Sequence, residues 1–549
     1  MIISPTLHAA QQHLGQFNLA DVLFSLNRAC MSCEHKTLSC ELPFVKSLGL
    51  ESGMFQWAAA ETARLATRFC RLPAYDRVGE TVNIIEWKVL ENIIGLATEV
   101  LMTDRLLGTS EAQAQVTSGD PWDTLHRIME PQYVLRRNSP YRMAQPILMY
   151  HEAAARRAAR DRSFNLSEYQ TTLRGILGCS IKSLVLAVTQ IRGKAQGEHP
   201  LLTANSLIPI EKREYDGTAI YAEHSSGMIT PAVGDVLRLL SETPTGLLRW
   251  MASQRAELGL SEDPLRSLLE SPNPLLRYPL IRVFRDRPDY CISPVPHLVN
   301  EWLYEPLASC VYEAVDTPAK TYLNYVFEEY VGMLLEICSP DGRAWHHENE
   351  LKPPEPRKVI DWAREFDDTV LLVDAKRAFV SLAARYRSLT EDWTTAFQRN
   401  WAKAVIQGTD FWNAVQQGQV PLLAKCRTKR PLLLIVTLSD TDSRAGRADL
   451  HNFVSPHLPA DLSHIPYAIV SIHRLEHVVS NWEKNGTEWL PHFVQDAVVR
   501  GSTQAASDLP SRDTGRLADM FSGIFAELTG AVEAATLRPR TSSNKGVAT

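Results

Sequence analysis

Two carboxylates and a lysine stand at the ends of neighbouring apolar runs in the stretch VIDWAREFDDTVLLVDAKRA, residues 359–378. Asp361 ends the first run, and Asp374 and Lys376 end the second. Two carboxylates, helped by a backbone carbonyl, are hard oxygen ligands that hold Mg²⁺ in proteins. The bound ion activates a water molecule and stabilises charge on phosphate oxygens, and a lysine beside it orients that water or stabilises the transition state. These residue types at this spacing therefore predict a centre for metal-dependent phosphodiester hydrolysis.

The elements around these residues are predicted to bring them together. The run TVLLV, residues 369–373, is rich in β-branched and apolar residues and does not alternate with polar ones, which is typical of a strand covered on both faces. Because side chains alternate along a strand, Asp374 and Lys376 point to one face and Ala375 points to the other. The acidic pair DD just before this run suits a turn, so a hairpin is expected to place Asp361 near Asp374.

This pattern resembles the PD-(D/E)XK nuclease superfamily, which includes many restriction and repair endonucleases. The resemblance implies that Asp361 and Asp374 ligate Mg²⁺ or Mn²⁺ together with the backbone carbonyl of Ala375, and that Lys376 orients the attacking water. It also implies products that carry a 5′-phosphate. Ile360 stands where the name of the superfamily has proline, a position that the superfamily keeps loosely. A bare pattern of this kind arises by chance about once or twice in a chain of this length, so neighbouring elements must support it.

A helix predicted upstream carries a further acid. Its apolar residues recur at spacings of three and four, as one face of an amphipathic helix requires. Glu328 lies at the edge of that apolar stripe, whereas Glu329 points well away from it. The letters FEEYVGMLL, residues 327–335, resemble the setting in which many superfamily members carry an acid on their first helix. The resemblance therefore gives Glu328 a catalytic role and a place at the metal, directly or through water. An ordinary exposed helix glutamate is the alternative.

A second helix is predicted over about 391–417, downstream of the two acids. Three aromatic side chains recur every four residues on one face, which indicates packing against the sheet. Arg399, Lys403 and Gln407 recur on the opposite face, and superfamily members often place a basic or amide residue of this helix near the site. With Arg377, which follows the lysine of the motif, they form the predicted nucleic-acid-binding set. A solvated helix face explains the same spacing equally well.

The distribution of charged residues favours contact with nucleic acid in one segment of the chain but not in the chain as a whole. The whole chain has a formal net charge of −6, so it offers no general attraction to nucleic acid or to anionic membranes. Between residues 376 and 430, however, ten Lys or Arg residues stand against three Asp or Glu residues. A basic segment beside the predicted centre suits a phosphate backbone, and an ordinary basic surface patch is the alternative.

The order of predicted elements after residue 300 is typical of an α/β layer rather than a helical bundle. A long helix is predicted over about 301–337, followed by strands at 343–351, 357–363 and 369–376, the helix at about 391–417, and strands at 431–438 and 466–476. The resemblance implies that this part is an α/β restriction-endonuclease-like domain with an αβββαβ core.

The remainder of the chain is predicted to be mostly α-helical before residue 300. Residues 1–300 form a helix-rich N-terminal region with a further division near residue 200, and the Ala- and Arg-rich run HEAAARRAARDRS is expected to be a solvated helix. The proline-rich stretch 272–296 predicts the boundary to a nuclease-like domain at 301–500. Residues 501–549 are predicted to hold a C-terminal helix and a polar, disordered tail.

Features of targeting and cysteine use predict a cytoplasmic protein with no membrane partner. The first residues lack the basic and apolar regions of a secretory signal, and the apolar run PLLLIVTL is too short to cross a membrane. Nine scattered cysteines suit a reducing compartment better than a disulfide framework. Cys30, Cys33 and Cys40 offer at most a cramped zinc site, with ordinary thiols as the alternative.

These patterns together predict a Mg²⁺-dependent endonuclease that cleaves DNA, with RNA as the open alternative. A large non-catalytic region joined to such a domain is similar to the layout of bacterial restriction and anti-phage defence nucleases. The N-terminal region would then sense DNA or dock a partner such as an ATPase or sensor subunit, because this chain has no P-loop of its own. The alternative is a nucleic-acid-binding or scaffolding subunit with a nuclease-like fold and little catalysis.

Overall fold

The protein is described by a computed structural model. The residues that it describes are 5–34, 52–72, 84–107, 143–195, 201–202, 230–257, 271–283, 291–315, 317–339, 344–352, 359–377, 398–438, 454–460, 462–486, 489–500 and 516–537. Most of them are helical, and two sheets lie among the helices. At this coarse level, the predicted combination of a helix-rich N-terminal region with a later α/β arrangement is confirmed.

The helices fall into an earlier and a later group. The earlier ones are α1 Pro5–Leu14, α2 Leu19–Glu34, α3 Ser52–Phe69, α4 Trp87–Leu107, α5 Gln145–Ile147, α6 Ala153–Arg160, α7 Leu166–Leu177, α8 Ile181–Ala195, α9 Thr230–Leu240, α10 Pro244–Glu257 and α11 His297–Glu301. The later ones are α12 Glu305–Ala314, α13 Thr317–Ile337, α14 Glu348–Leu351, α15 Lys403–Gln416, α16 Ile472–Asn485, α17 Trp489–Arg500 and α18 Arg516–Leu537. Single π-helical turns, Leu148–Glu152 and Gln398–Ala402, lead directly into α6 and α15.

The strands form a small sheet and a larger one. The small sheet consists of β1 Leu201–Leu202, β2 Ser241–Glu242, β3 Leu280–Ile281 and β4 Cys291–Ile292, in the order β1-β4-β3-β2. The larger sheet consists of β5 His346–His347, β6 Trp362–Glu365, β7 Thr369–Lys376, β8 Arg430–Thr437 and β9 Tyr467–Ser471, in sequential order. Its first two pairs are antiparallel and its last two are parallel.

The apolar runs of β7 and β8 make them the centre of the larger sheet. They pair in parallel along eight residues, from Thr369 with Arg430 to Lys376 with Thr437. A parallel pair needs a crossover connection, and α15 belongs to that connection and packs on one face of the sheet. α13, α16 and α17 cover the other face. β7 is therefore buried on both faces, as its unbroken apolar run predicts.

Among the described residues, the buried apolar side chains form three clusters. The first joins α1 to α4 with α10. The second joins α6, α7 and α8 with α13 and one face of the larger sheet, and the third lies between the other face and α15. The helices of residues 143–195 thus share a core with the sheet, so the buried cores do not divide at residue 300. The division of the chain into domains stays a prediction.

The single long helix predicted over 301–337 is wrong. The chain forms α11, α12 and α13 there, with breaks between them. Pro306 and Pro318 lie in the first turns of α12 and α13. Proline is tolerated in a first turn because its missing N–H has no partner there, whereas inside a helix it removes a hydrogen bond.

Three predicted strands differ in their bounds. The strand predicted over 343–351 is limited to β5, because His347 caps α14 with its ring nitrogen. Of the described residues in the strand predicted over 357–363, Trp362 and Ala363 belong to β6 and 359–361 precede it, while 357 and 358 lie outside the described residues. The strand predicted over 466–476 ends at Ser471, whose hydroxyl caps α16. Side-chain caps thus end two of these strands earlier than their apolar pattern indicates.

One stretch, Leu166–Gly193, is long and apolar enough to span a membrane by length and composition. In the structure it is divided between α7 and α8 at Gly178, whose φ of 73° lies in the left-handed region. The share of its most apolar window that is buried inside the protein is 56%. Its buried side chains belong to the second core, so packing accounts for their apolar character.

Candidate active site at the end of β7

The turn between β6 and β7 brings the predicted acids face to face. Trp362 pairs with Val373, so Asp361, which lies just before β6, stands opposite Asp374. The Oδ2 atom of Asp361 accepts a hydrogen bond of 2.6 Å from the backbone N–H of Ala375. Both acids are buried, with exposed fractions of 6% and 0%. The structure therefore brings together the two carboxylates that the sequence singled out.

Lys376 lies on the same face as Asp374, as strand alternation predicts. Its Nζ atom lies 2.9 Å from Oδ1 and 2.8 Å from Oδ2 of Asp374. Burial lowers the pKa of Lys376, but the carboxylates of Asp374, Asp361 and Glu328 outweigh that effect, so the pKa is raised. At neutral pH Lys376 is therefore a charged hydrogen-bond donor rather than a general base.

α13 carries Glu328, whose pKa is affected by the charges at the end of β7. The pKa of Glu328 is raised to about 8, chiefly by burial. The positive charges of Arg157 and Lys376 oppose this rise. The negative charges of Glu348 and Asp374 add to it. The charges of Asp374 and Lys376 thus affect the pKa of Glu328. Glu328 is therefore not an ordinary exposed helix glutamate, which was the alternative interpretation of its sequence.

The pKa of Asp361 is affected by the same neighbouring carboxylates. Its pKa is raised well above its usual range, chiefly by burial and then by the carboxylates of Glu328 and Asp374. The charge of Lys376 and the hydrogen bond from Ala375 act in the opposite direction. The carboxylates of Asp361, Asp374 and Glu328 therefore repel one another, and Lys376 and Arg157 offset only part of this repulsion. A divalent cation stabilises such an arrangement because it offsets the excess negative charge.

A cleft of about 380 Å³ lies beside these acids. It is lined by Glu348, Lys352, Val359, Asp361, Lys376, Asn400, Lys403 and Gln407. Gln407 donates a hydrogen bond of 2.5 Å to the carbonyl of Val359, so α15 fixes the segment that leads into Asp361. Lys403 lies one helical turn before Gln407 on the same face. Two of the four residues predicted to bind nucleic acid therefore lie at the cleft.

Sequence reasoning missed three cleft residues and a nearby arginine. Glu348 lies in the strand predicted over 343–351 and Lys352 directly follows it, and the helical turn of α14 brings the two together, with 3.7 Å between Oε1 and Nζ. Asn400 lies in the π-helical turn before α15. Arg157 belongs to the helix that was expected to be solvated, and that expectation is wrong on one face because α6 packs on α13.

Arg377 does not reach the cleft. It follows Lys376 and points to the opposite face, where its guanidinium carbon lies 5.3 Å from the centre of the Tyr312 ring. Both of its terminal nitrogens are buried. Strand alternation, which directs Lys376 to the centre, directs Arg377 into the interior and corrects its predicted role in binding nucleic acid. The side chain of Arg399 lies outside the described residues.

The described cations of the basic segment lie at both ends of the larger sheet. Lys425, Lys429 and Arg430 lie at the start of β8, which pairs with the start of β7. Lys376 lies at the far end of β7, about 23 Å away at the usual rise of a strand. Lys429 forms an ion pair of 2.8 Å with Glu365 there. Among the described cations of the segment, these three therefore add no positive charge at the cleft.

The cysteines near the N-terminus give no support to a zinc site. Cys30 is buried in α2, with 2% of its surface exposed. Cys33 belongs to the same helix, but its side chain and the whole of Cys40 lie outside the described residues. A buried thiol on a helix is the ordinary environment of an unligated cysteine.

The end of β7 offers a limited set of metal ligands. Among the described residues, no group of three or more His, Cys, Asp or Glu side chains is spaced to hold a metal ion. The N–H and C=O of one strand residue project to the same edge, so the Ala375 carbonyl faces the side where its N–H meets Asp361. Asp361, Asp374 and this carbonyl are hard oxygen donors, which fit a partly hydrated Mg²⁺ or Mn²⁺ better than a cage of side chains would.

Comparisons with known proteins identify no relative of this chain. No protein-family model matches it. The curated proteins and the solved structures likewise give no significant match. The chemistry of the centre is therefore argued from its own residues: two buried acids on neighbouring strands, a lysine and a third acid from a helix.

Proposed function

We propose that this chain is a metal-dependent nuclease with a centre of the PD-(D/E)XK type. One observation carries the proposal: the antiparallel pairing of β6 with β7 sets Asp361 against Asp374, and Lys376 follows on the same face. Glu328 approaches from α13, the preceding long helix. The sequential sheet order, antiparallel and then parallel, with α13 and α15 on opposite faces, supports a restriction-endonuclease-like core.

Each group then has a task in phosphodiester hydrolysis. Asp361, Asp374 and the Ala375 carbonyl would hold Mg²⁺ or Mn²⁺, with Glu328 joining directly or through water. The ion would supply Lewis acidity and a more acidic water. Lys376 carries a positive charge and is fixed by Asp374, so it donates a hydrogen bond to the attacking water or to the scissile phosphate.

The cleft supports a nucleic acid as the substrate. Lys403, Lys352 and Asn400 present donors that suit phosphate oxygens, and Gln407 keeps the segment before Asp361 in place. Lysines act as point charges that recognise any phosphodiester, so these contacts position the substrate without reading its bases. DNA is the proposed substrate, and RNA is the alternative at the same centre.

The proposed setting is a bacterial restriction or anti-phage defence system in the cytoplasm, without a membrane partner. In that setting, the N-terminal helices would sense DNA or dock a partner protein such as an ATPase. The packing of α6 against α13 supports such control, because it gives the N-terminal region a direct contact with the helix that carries Glu328.

A cleavage assay tests the proposed activity on supercoiled, linear duplex and single-stranded DNA and on RNA, with Mg²⁺, Mn²⁺ or EDTA. The wild-type protein is expected to cut with either metal and not in EDTA. Asp374→Ala and Lys376→Ala are each expected to lower the rate by roughly 100-fold or more, because each removes a group that acts on the reacting atoms. Asp410→Ala, which changes an exposed acid on α15, is the matched control. Cleavage at the wild-type rate by Asp374→Ala would refute the proposal.

A nucleic-acid-binding subunit with little catalysis is the second candidate. Two observations favour it: the described residues contain no three-side-chain metal group, and Lys376 contacts both carboxylate oxygens of Asp374. Such a binder would keep its affinity for nucleic acid in EDTA and in the Asp374→Ala variant. It would also leave every substrate uncut in the assay above, so the same experiment separates the two candidates.

A further inference from the structure

The arginine-rich helix α6 packs along α13, the helix that carries Glu328. Three arginines on α6 form ion pairs with three glutamates on α13. The arginines are Arg156, Arg157 and Arg160, and the glutamates are Glu328, Glu329 and Glu336. A helix from the first third of the chain therefore supplies positive charge to the helix that carries Glu328.

Arg157 is the arginine that reaches Glu328. Its Nη1 atom lies 3.9 Å from Oε2 of Glu328, and its side chain is only 7% exposed. Its Nη2 atom lies 3.1 Å from Oδ2 of Asp161. Its guanidinium carbon lies 4.4 Å from the centre of the Tyr325 ring. Contacts on two other sides thus fix the guanidinium group that faces Glu328.

We infer that Arg157 is a positioning residue, which holds the Glu328 carboxylate toward Asp374 and Lys376 for metal binding. The inference rests on the proposed function, because it gives Arg157 a task only in a metal-dependent centre. A glutamate side chain has several rotamers, and a fixed ionic partner restricts them before the metal arrives. Groups behind a metal ligand act in this way on affinity, although they touch neither the ion nor the substrate.

Arg156 offers a matched control on the same helix. Its Nε atom lies 2.8 Å from Oε1 of Glu329, and its Nη2 atom contacts Glu336. Loss of Arg157 removes one ion pair between α6 and α13, and loss of Arg156 removes two, so a purely structural role predicts a loss of stability in both variants. A positioning role predicts that only the loss of Arg157 changes metal binding.

Calorimetric titration of Mn²⁺ into the full-length protein, without nucleic acid, measures this effect, and thermal unfolding of each variant is recorded beside it. The variants are Arg157→Gln, Arg157→Lys, Arg156→Gln, Glu328→Gln and the double variant Arg157→Gln/Glu328→Gln. Arg157→Gln and Glu328→Gln are each expected to weaken Mn²⁺ binding by roughly 10-fold. The double variant is expected to bind no more weakly than Glu328→Gln, because Arg157 acts through Glu328. Arg157→Lys should recover most of the affinity, and Arg156→Gln should keep the wild-type value.

Three results overturn the inference while the proposed function stands. They are wild-type affinity in Arg157→Gln, wild-type affinity in Glu328→Gln, and additive losses in the double variant. A wild-type protein that binds no Mn²⁺ overturns the proposed function and the inference with it. If Arg157→Gln does not fold, Asp161→Asn releases the same guanidinium from its partly exposed side. Weaker Mn²⁺ binding by that variant supports the inference, and unchanged binding overturns it.

Discussion

The carboxylates of Asp361, Asp374 and Glu328 outnumber the two cations beside them, Lys376 and Arg157, and this excess of negative charge favours the binding of a proton or a cation. The pKa of Glu328 is raised to about 8, and that of Asp361 is raised well above its usual range, in both cases chiefly by burial. Without metal, a proton on either acid relieves the repulsion. A divalent ion competes with that proton for the same oxygens.

At the residue scale, we expect the metal-free wild-type protein to lose stability relative to Glu328→Gln as pH rises. The pKa of Glu328 moves from its ordinary value of 4.5 to about 8 on folding, chiefly because the side chain is buried. Between these values the folded state binds more protons than the unfolded state, so its stability falls as pH increases. Thermal unfolding of both proteins in EDTA, from about pH 5 to pH 9, measures this. The Tm of the wild-type protein should fall relative to that of Glu328→Gln across this interval. The difference between the two should level off above about pH 8.

Glu328→Gln serves as the control because glutamine cannot ionise. A difference in Tm between the two proteins that stays constant with pH would show that Glu328 does not take up a proton on folding. Addition of Mn²⁺ at the upper end of the range should restore part of the lost stability, since a bound ligand stabilises the folded state.

Part of the site could be predicted from local geometry, and part could not. Strand alternation and a turn were enough to place Asp374 and Lys376 on one face with Asp361 opposite. The same alternation also predicts that Arg377 points away, so its assignment to the nucleic-acid-binding set came from adjacency in the sequence alone. Arg157 depends on the packing of α6 against α13, which no local pattern encodes.

At the scale of elements, a glycine allows α13 to approach β6. A Cβ atom at Gly332 would lie 2.1 Å from Cζ2 of Trp362, much closer than carbon atoms pack. The Trp362 indole is 1% exposed, and its Nε1 atom lies 3.4 Å from the carbonyl of Glu328. Trp362 directly follows Asp361 in the chain. The close approach therefore sets the distance between the helix of Glu328 and the strand of Asp361.

We expect Gly332→Ala to lower the free energy of unfolding by about 1–3 kcal/mol, because the added methyl group overpacks the contact with Trp362. Denaturant unfolding measures the loss. Gly175→Ala is the matched control, since it also lies in a helix but has open space around its Cα. That variant should be neutral or more stable by up to about 1 kcal/mol. Equal stability of the two variants would contradict the importance of this contact.

The strands themselves illustrate which elements a pattern can predict. The unbroken apolar runs of β7 and β8 identified both strands within a residue of their observed bounds. The failures occurred where a single side chain ends a strand, at His347 and Ser471. Whether such a residue caps a helix depends on the tertiary position of that helix, and apolar periodicity does not report it.

At the scale of the whole molecule, where the charges lie decides where nucleic acid can bind more than the net charge does. The net charge of −6 includes the cations at the start of β8, which lie at the opposite end of the sheet from the cleft. Lys403 and Lys352 lie at the cleft itself. Nucleic acid is therefore expected to bind along the end of the sheet that carries Lys376.

We expect Lys403→Gln to weaken nucleic-acid binding and to reduce its salt dependence, by about one unit in the slope of log affinity against log salt. The reason is that Lys403 lines the cleft and would meet a phosphate. Lys425→Gln removes an exposed charge at the far end of the sheet and should leave both quantities unchanged. Fluorescence anisotropy in EDTA, at several salt concentrations, measures binding without cleavage. Equal losses in the two variants would place the nucleic acid elsewhere.

The wide spread of the centre along the chain has a consequence during protein synthesis. Arg157 comes from α6, Glu328 from α13 and Asp374 from β7, while β7 itself needs β8 as its parallel partner, which ends at Thr437. Ribosomes release a chain from its N-terminus, so these parts meet only after most of the protein has been made. A growing or prematurely ended chain thus lacks part of the candidate centre. The proposed activity therefore requires that translation has passed β8.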